Sequence, residues 1–177
     1  MQDDTPVKSS KPVIDPEVAQ KIKEDLSTKC NGFRGLSDET TKYFLVRHSV
    51  EDDEVTEQYY PCTQDGQLTG YKIRSVPKDF RSIGRTGADC QMFGQFRFNR
   101  GGKYVLIVEG ELDQLSAYQM LSEYNKSRGS DFEIAVVSPT TGAQSKKQIA
   151  AQYKFLDMFS DIVLCMDNDK AGKQAEE

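Results

Sequence analysis

Three short runs, KYVLIV (103–108), FEIAVV (132–137) and DIVLCM (161–166), are apolar nearly throughout. A strand with one wet face alternates polar and apolar residues; these runs do not alternate, so they read as strands buried on both faces. The stretches between them change period. In LDQLSAYQMLSEY, Leu112, Leu115, Tyr118 and Leu121 recur on one side of a helix, and in GAQSKKQIAAQYKFLDMF, Ile149, Tyr153 and Leu156 do the same. KAGKQAEE, after the third run, opens a third helix. Strands alternating with helices specify a parallel sheet covered on both faces.

In an open sheet of this kind, sites form beyond the carboxyl ends of the strands. Glu109 directly follows the first run, and Asp167 and Asp169 directly follow the third. Three carboxylates thus converge on one sheet edge, and the two aspartates project the same way if the backbone stays extended. Like charges at such an edge raise one another's pKa unless a cation joins them. Mg²⁺ suits the position, because it prefers oxygen ligands and is completed by substrate phosphate, the arrangement of phosphoryl transfer. The alternative is capping: acids after strands often cap the next helix, and Asp113 and Asp169 both fit that role. A lone DxD does not decide between the two, whereas EGELD after a first strand with DND after a third is a narrower combination.

The first half of the chain has a different texture. Residues 1–15 are rich in Pro, Ser, Asp and Lys and read as a disordered tail. DPEVAQKIKEDLSTKCNG predicts a short helix begun by Asp15 and Pro16, with Val18, Ile22 and Leu26 on its apolar face. SDETTKYFLV predicts a second, capped by Ser37. Asp65-Gly66 between two alternating stretches predicts a hairpin. In GYKIRSV the alternation sends Tyr71 and Ile73, with Ser75, to one face and Lys72 and Arg74 to the other. Lys78, Arg81 and Arg85 continue the basic stripe, so residues 45–98 read as a small antiparallel sheet with one wet, basic face.

Charge follows this division. Residues 1–60 carry 8 basic and 13 acidic groups, residues 61–103 carry 8 and 3, and residues 104–177 carry 7 and 12. A basic block between acidic ones suggests a local surface for phosphate, although a solvated basic face looks the same from sequence. No run of 18 apolar residues offers a membrane span, and the N-terminus lacks an apolar signal region, so a cytoplasmic location is expected. The four cysteines are scattered without a CxxC pair and His48 is the only histidine. Free thiols are therefore expected, and a zinc ribbon is not.

VEGELDQLSA followed by LCMDNDKAGKQAEE resembles a Toprim domain, the fold shared by bacterial-type primases, type IA and II topoisomerases and some nucleases. FRGLSDET, GYKIRSVPKDF, MFGQFRFNRGGKYVLIVEGELD and SPTTGAQSKKQIAAQYKFLDMFSDIVLCMDNDKAG occur in the order seen in bacteriophage primase-helicases, an arrangement shared by the mitochondrial helicase Twinkle. The resemblance covers roughly residues 33–177. It implies an α+β N-terminal subdomain (16–103) with a small antiparallel sheet. An α/β Toprim domain (104–177) would follow, with a parallel, Rossmann-like sheet. The family's further acidic position would lie beyond Glu177, so this Toprim domain is expected to be incomplete at its C-terminus. The family's zinc ribbon and helicase module are not expected in this chain; RGGKYV is no Walker motif.

By the same resemblance, Glu109 is a metal ligand or general base, and Asp167 and Asp169 are paired metal ligands. Gly110 permits the turn after the strand, and Glu111 and Asp113 support the site. Lys72, Arg74, Lys78 and Arg81 would grip the triphosphate or the template backbone between the subdomains. Thr140, Thr141 and Gly142 would either meet a phosphate or cap a helix. The implied activity is that of a DNA primase core, a nucleotidyltransferase of DNA replication. It would make RNA primers from ribonucleoside triphosphates on single-stranded DNA with Mg²⁺ or Mn²⁺, beside a helicase module in cis or in trans, in the cytoplasm of a phage host. A Toprim-type metal-dependent nuclease and a non-catalytic nucleic-acid-binding segment of a replicative helicase are the alternatives.

Overall fold

A computed structural model describes residues 12–142 and 145–167. Asp65 and Gly66 both take left-handed backbone, with φ of 50° and 75°. Two consecutive positive φ values match the right-handed twist of the flanking strands, which is why an Asp-Gly pair makes this turn. It joins β2 (Glu54–Gln64) to β3 (Gln67–Ser75). With β1 (Arg47–Glu51) and β4 (Asp79–Gly84) they form a four-stranded antiparallel sheet in the order β1-β2-β3-β4. Helix α1 (Pro16–Asp25) starts where Asp15 accepts hydrogen bonds from the Glu17 and Val18 N–H groups, and it packs on one face of this sheet. Ile14, Ala19 and Ile22 meet Tyr59, Tyr71 and Ile73 there. Ala19 takes the place expected of Val18, which is exposed. Ile14 falls within the expected tail, yet it is buried and its N–H donates to the Thr69 carbonyl at 2.8 Å. The remainder of that tail, 1–11, lies outside the described residues.

Ser37 caps α2 (Asp38–Tyr43) by accepting from the Thr40 N–H. Further on, β5 (Gly102–Val108), β6 (Ala135–Val137) and β7 (Phe159–Cys165) form a parallel sheet in the order β6-β5-β7. Helix α3 (Glu111–Ser127) links β5 to β6, and α4 (Ser145–Ala151) with α5 (Tyr153–Leu156) links β6 to β7. The single helix expected over 142–159 is broken at Gln152. Its side chain accepts from Gln95 Nε2 at 2.9 Å, and the chain turns so that Phe155, not Tyr153, enters the core. The helix expected in KAGKQAEE lies outside the described residues.

One apolar cluster joins the two sheets. Phe44, Val46, Tyr60 and Phe93 from the first half pack with Val105, Ile107, Leu115 and Val137 from the second. The expectation of a sheet covered on both faces holds for β5 and β6 but not for β7, where Ile162, Val163 and Leu164 are exposed. Among the described residues no helix is long and apolar enough to cross a membrane.

Candidate active site

The parallel pairing of β5 with β7 sets Val108 opposite Cys165, so the chains leaving both strands emerge side by side. Glu109 follows directly on β5, and its Oε2 accepts the Asp167 backbone N–H at 3.0 Å. The Glu109 carboxylate is thus tied to the end of the neighbouring strand. Asp169 lies outside the described residues.

Gly110 is the N-cap of α3 and has φ −145° and ψ 172°, extended backbone open to any residue. The turn therefore does not require glycine. A Cβ there would instead stand 3.2 Å from Asp113 Oδ2. Asp113, in the first turn of α3, accepts the Gly110 N–H, so the capping role open to it from sequence is occupied. Its carboxyl is nonetheless pushed above the usual carboxylate range, first by desolvation and then by the charge of Asp167. The N–H groups and the Arg34 guanidinium act the other way. Glu109, Asp113 and Asp167 line one end of a groove of about 570 Å³, whose remainder includes Ser116, Met120 and Tyr124. Two acids that repel each other beside a third form an oxygen-only donor set suited to a hard divalent cation. Among the described residues no three such side chains already stand close enough to hold an ion together.

Glu111, two residues from Glu109, has a different environment. It is 5% exposed, and Lys72 Nζ donates to its Oε1 at 2.7 Å and its Oε2 at 3.0 Å. Lys72 comes from β3, so this ion pair fastens the antiparallel sheet to the start of α3. The basic face expected to be wet is largely closed. Tyr60 and Gln58 stand opposite Lys72 and Arg74 across the strands, and Tyr60 is buried against Phe93. Arg74 is 5% exposed, donating to the Pro77 carbonyl at 2.9 Å and to Gln58 Oε1 at 3.5 Å. Lys78 is exposed in the β3–β4 turn. Arg81 lies on the other face of the sheet, where its Nη2 meets both Glu57 oxygens at 2.7 Å and stands 3.3 Å from the Tyr59 hydroxyl. The structure therefore puts Lys72 and Arg74 on the sheet face that meets the start of α3 and leaves Arg81 on the α1 side.

In the SPTTG stretch, Gln148 Oε1 accepts from the Thr140 N–H at 2.8 Å and the Thr141 hydroxyl at 3.1 Å. These donors are spent within the fold, as in a cap. Two groups outside the expected site contribute to its electrostatics. Arg34, with φ 52° in a short 3₁₀ turn (Phe33–Gly35), acts on both Asp113 and Tyr60. The Tyr60 hydroxyl donates to Gln58 Oε1 at 2.8 Å, and burial followed by the Glu111 charge pushes its pKa up. The glycines flanking Phe33-Arg34 were the available signal for Arg34; Tyr60 had none beyond its place in an alternating strand.

Comparison with known proteins fits this geometry. A family described as Toprim-like matches residues 106–177. The DNA helicase/primase of Enterobacteria phage T3 is 31% identical over 148 residues, which is 81% of this chain and 24% of that protein. The chain thus spans about a quarter of that relative's length. The crystal structure of the primase fragment of the bacteriophage T7 primase-helicase matches with a TM-score of 0.71 at 26% identity, over 98% of this chain and 66% of that one. A second match has a TM-score of 0.69 at 28% identity, over 86% of this chain and 72% of that one. It is a structure of the T7 lagging-strand DNA polymerase interacting with primase domains of two gp4 subunits bound to an RNA/DNA hybrid and dTTP. Residues 106–177 thus match the Toprim-like family, in a chain whose fold is similar to that of a phage primase fragment.

Proposed function

We propose that this chain is the core of a DNA primase, joining ribonucleoside triphosphates into short RNA on a single-stranded DNA template. The observation that carries the reading is the meeting of Glu109 and Asp167 at neighbouring strand ends, with Asp113 in the same groove. Residues 16–103 would form the basic subdomain and 104–177 the Toprim domain, with a helicase module in cis or in trans. Its place of work would be the cytoplasm of a phage host.

Glu109 and Asp167, with Asp169, would hold Mg²⁺ or Mn²⁺. When bound, the metal supplies neutralisation of phosphate charge and a lowered pKa at the attacking 3′-hydroxyl. Glu109 is already oriented by the Asp167 N–H on its Oε2, at the end of the groove that it lines. Lys72 keeps part of its donor capacity beyond Glu111, and Lys78 is open to solvent; both would meet phosphate oxygens approaching from the antiparallel sheet. Arg74, held by Gln58 and Pro77, would shape that wall rather than touch substrate.

The test is primer synthesis on single-stranded DNA with four ribonucleotides and Mg²⁺ or Mn²⁺, using this chain, a form extended beyond Glu177, and Glu109→Gln in each. Oligoribonucleotides that disappear with Glu109→Gln are expected. No product from the extended form, or as much product with Glu109→Gln, overturns the assignment. Cleaved template instead of primers would make the protein a nuclease.

A further inference from the structure

Phe80 is the outermost member of a cross-strand row on the face of the antiparallel sheet that carries Lys72. Cross-strand pairing places Gln58, Arg74 and Phe80 in one line, and Tyr60, Lys72 and Ser82 in the next, all on the same face of the antiparallel sheet. The row passes from buried Gln58 to Phe80, which is 46% exposed on the edge strand β4. The Lys72 ammonium lies over its ring, 5.0 Å from the centroid, while also pairing with Glu111. Phe80, Lys72 and Glu111 therefore form a chain of contacts from an open aromatic ring to the start of α3, two residues beyond Glu109.

Single exposed apolar residues are common, so the surroundings decide. The other exposed phenylalanine, Phe132, is 45% exposed and sits between Asp131 and Glu133, whose charges repel phosphate. Phe80 follows Asp79, whose Oδ1 accepts the Phe80 N–H at 2.9 Å, but it has the Lys72 ammonium over its ring and Lys78 exposed two residues before it. An aromatic face beside cations is what an unstacked nucleobase with its phosphate requires: the ring takes the base and the ammonium groups take the backbone charge.

We infer that Phe80 is a base-stacking platform, receiving a nucleobase carried on a phosphate, from the DNA template or from an incoming ribonucleotide. The inference rests on the primase reading for its ligand and adds a contact which that reading does not require. With a base on the ring, Lys72 would stand between the stacked nucleotide and Glu111, holding the nucleotide beside the metal edge.

The chain has no tryptophan, so Phe80→Trp provides a single fluorescent reporter at the platform. Single-stranded DNA, an abasic strand of the same length, and each ribonucleoside triphosphate are titrated against it, while labelled-strand anisotropy follows binding independently. Saturable quenching by DNA and not by the abasic strand supports a template subsite; quenching by triphosphates alone supports a nucleotide subsite. Phe80→Ala and Phe80→Leu are expected to weaken binding of that ligand about tenfold, and Phe80→Tyr to preserve it. Equal quenching by the abasic strand, or binding of both DNA and triphosphates that Phe80→Leu leaves unchanged, overturns the platform while leaving the primase reading intact. A protein that binds neither DNA nor triphosphate overturns both.

Discussion

Glu111 and Asp113 stand two residues apart in one acidic stretch and have opposite electrostatic surroundings. Glu111 is buried with both oxygens on Lys72, and its charge is compensated. Asp113 faces Asp167, and its carboxyl is raised by desolvation and by that neighbour's charge. An acid with a lysine partner is part of the framework; an acid opposed by another acid is a place for a cation. The motif EGELD alone does not distinguish them, because the lysine comes from a strand 39 residues earlier.

Glu109→Gln tests the uncompensated side most strongly. A loss of roughly a thousandfold in primer synthesis is expected, the scale of removing a group that stabilises the transition state, with an unchanged urea midpoint. A parallel loss of stability would make Glu109 a framework acid and erase the distinction.

His48 extends the contrast to a buried base. Neither ring nitrogen makes a well-formed hydrogen bond, and burial lowers its pKa to about 4 against the weaker opposing pull of the Ser27 backbone. The unfolded chain, with its histidine near 6.5, then binds the proton more readily than the folded one. Stability is complete above pH 6.5 and falls as the pH drops towards about 4, by about 3 kcal/mol in all. Urea unfolding across that range should show the slope, and His48→Leu should flatten it.

On the compensated side, Glu111→Gln leaves the Lys72 ammonium without its partner and should cost about 2–3 kcal/mol in urea unfolding. That is the lower end for a broken buried pair, since Lys72 is 20% exposed and can turn to water. Joint replacement of Lys72 and Glu111 by Met and Leu should recover most of the loss if pairing, rather than either charge alone, matters. The smallest effect should have the opposite sign. Asp113→Asn removes a group whose ionisation the fold opposes, so the midpoint at neutral pH should rise slightly, while Mg²⁺-dependent protection against unfolding weakens.

How much of this could be read in advance depends on the range of the interaction. The Asp65-Gly66 turn, the Asp15 and Ser37 caps and the parallel strands follow from neighbours in sequence, and all are present. The wet face assigned to Lys72 and Arg74 was set by alternation, which separates two faces without saying what covers either. Tyr60 and the start of α3 decide that, through contacts distant in sequence. The break at Gln152 is similarly set by Gln95, 57 residues away. At the site, position directly after two apolar strands of one parallel sheet places Glu109 beside Asp167, but the roles of Arg34 and of the Gly110 α-carbon depend on side chains meeting in three dimensions.

The exposed row Ile162, Val163 and Leu164 ties handling of the protein to its chemistry. Among the described residues β7 is an outer strand of its sheet, and Asp161 is the only charge within it. An apolar edge with one gatekeeping charge invites another chain to add itself, so crowding and partial unfolding should promote aggregation there first. The same strand carries Asp167 to Glu109. Lysines introduced on its exposed side to improve solubility would therefore act on the strand whose alignment holds the two acids together.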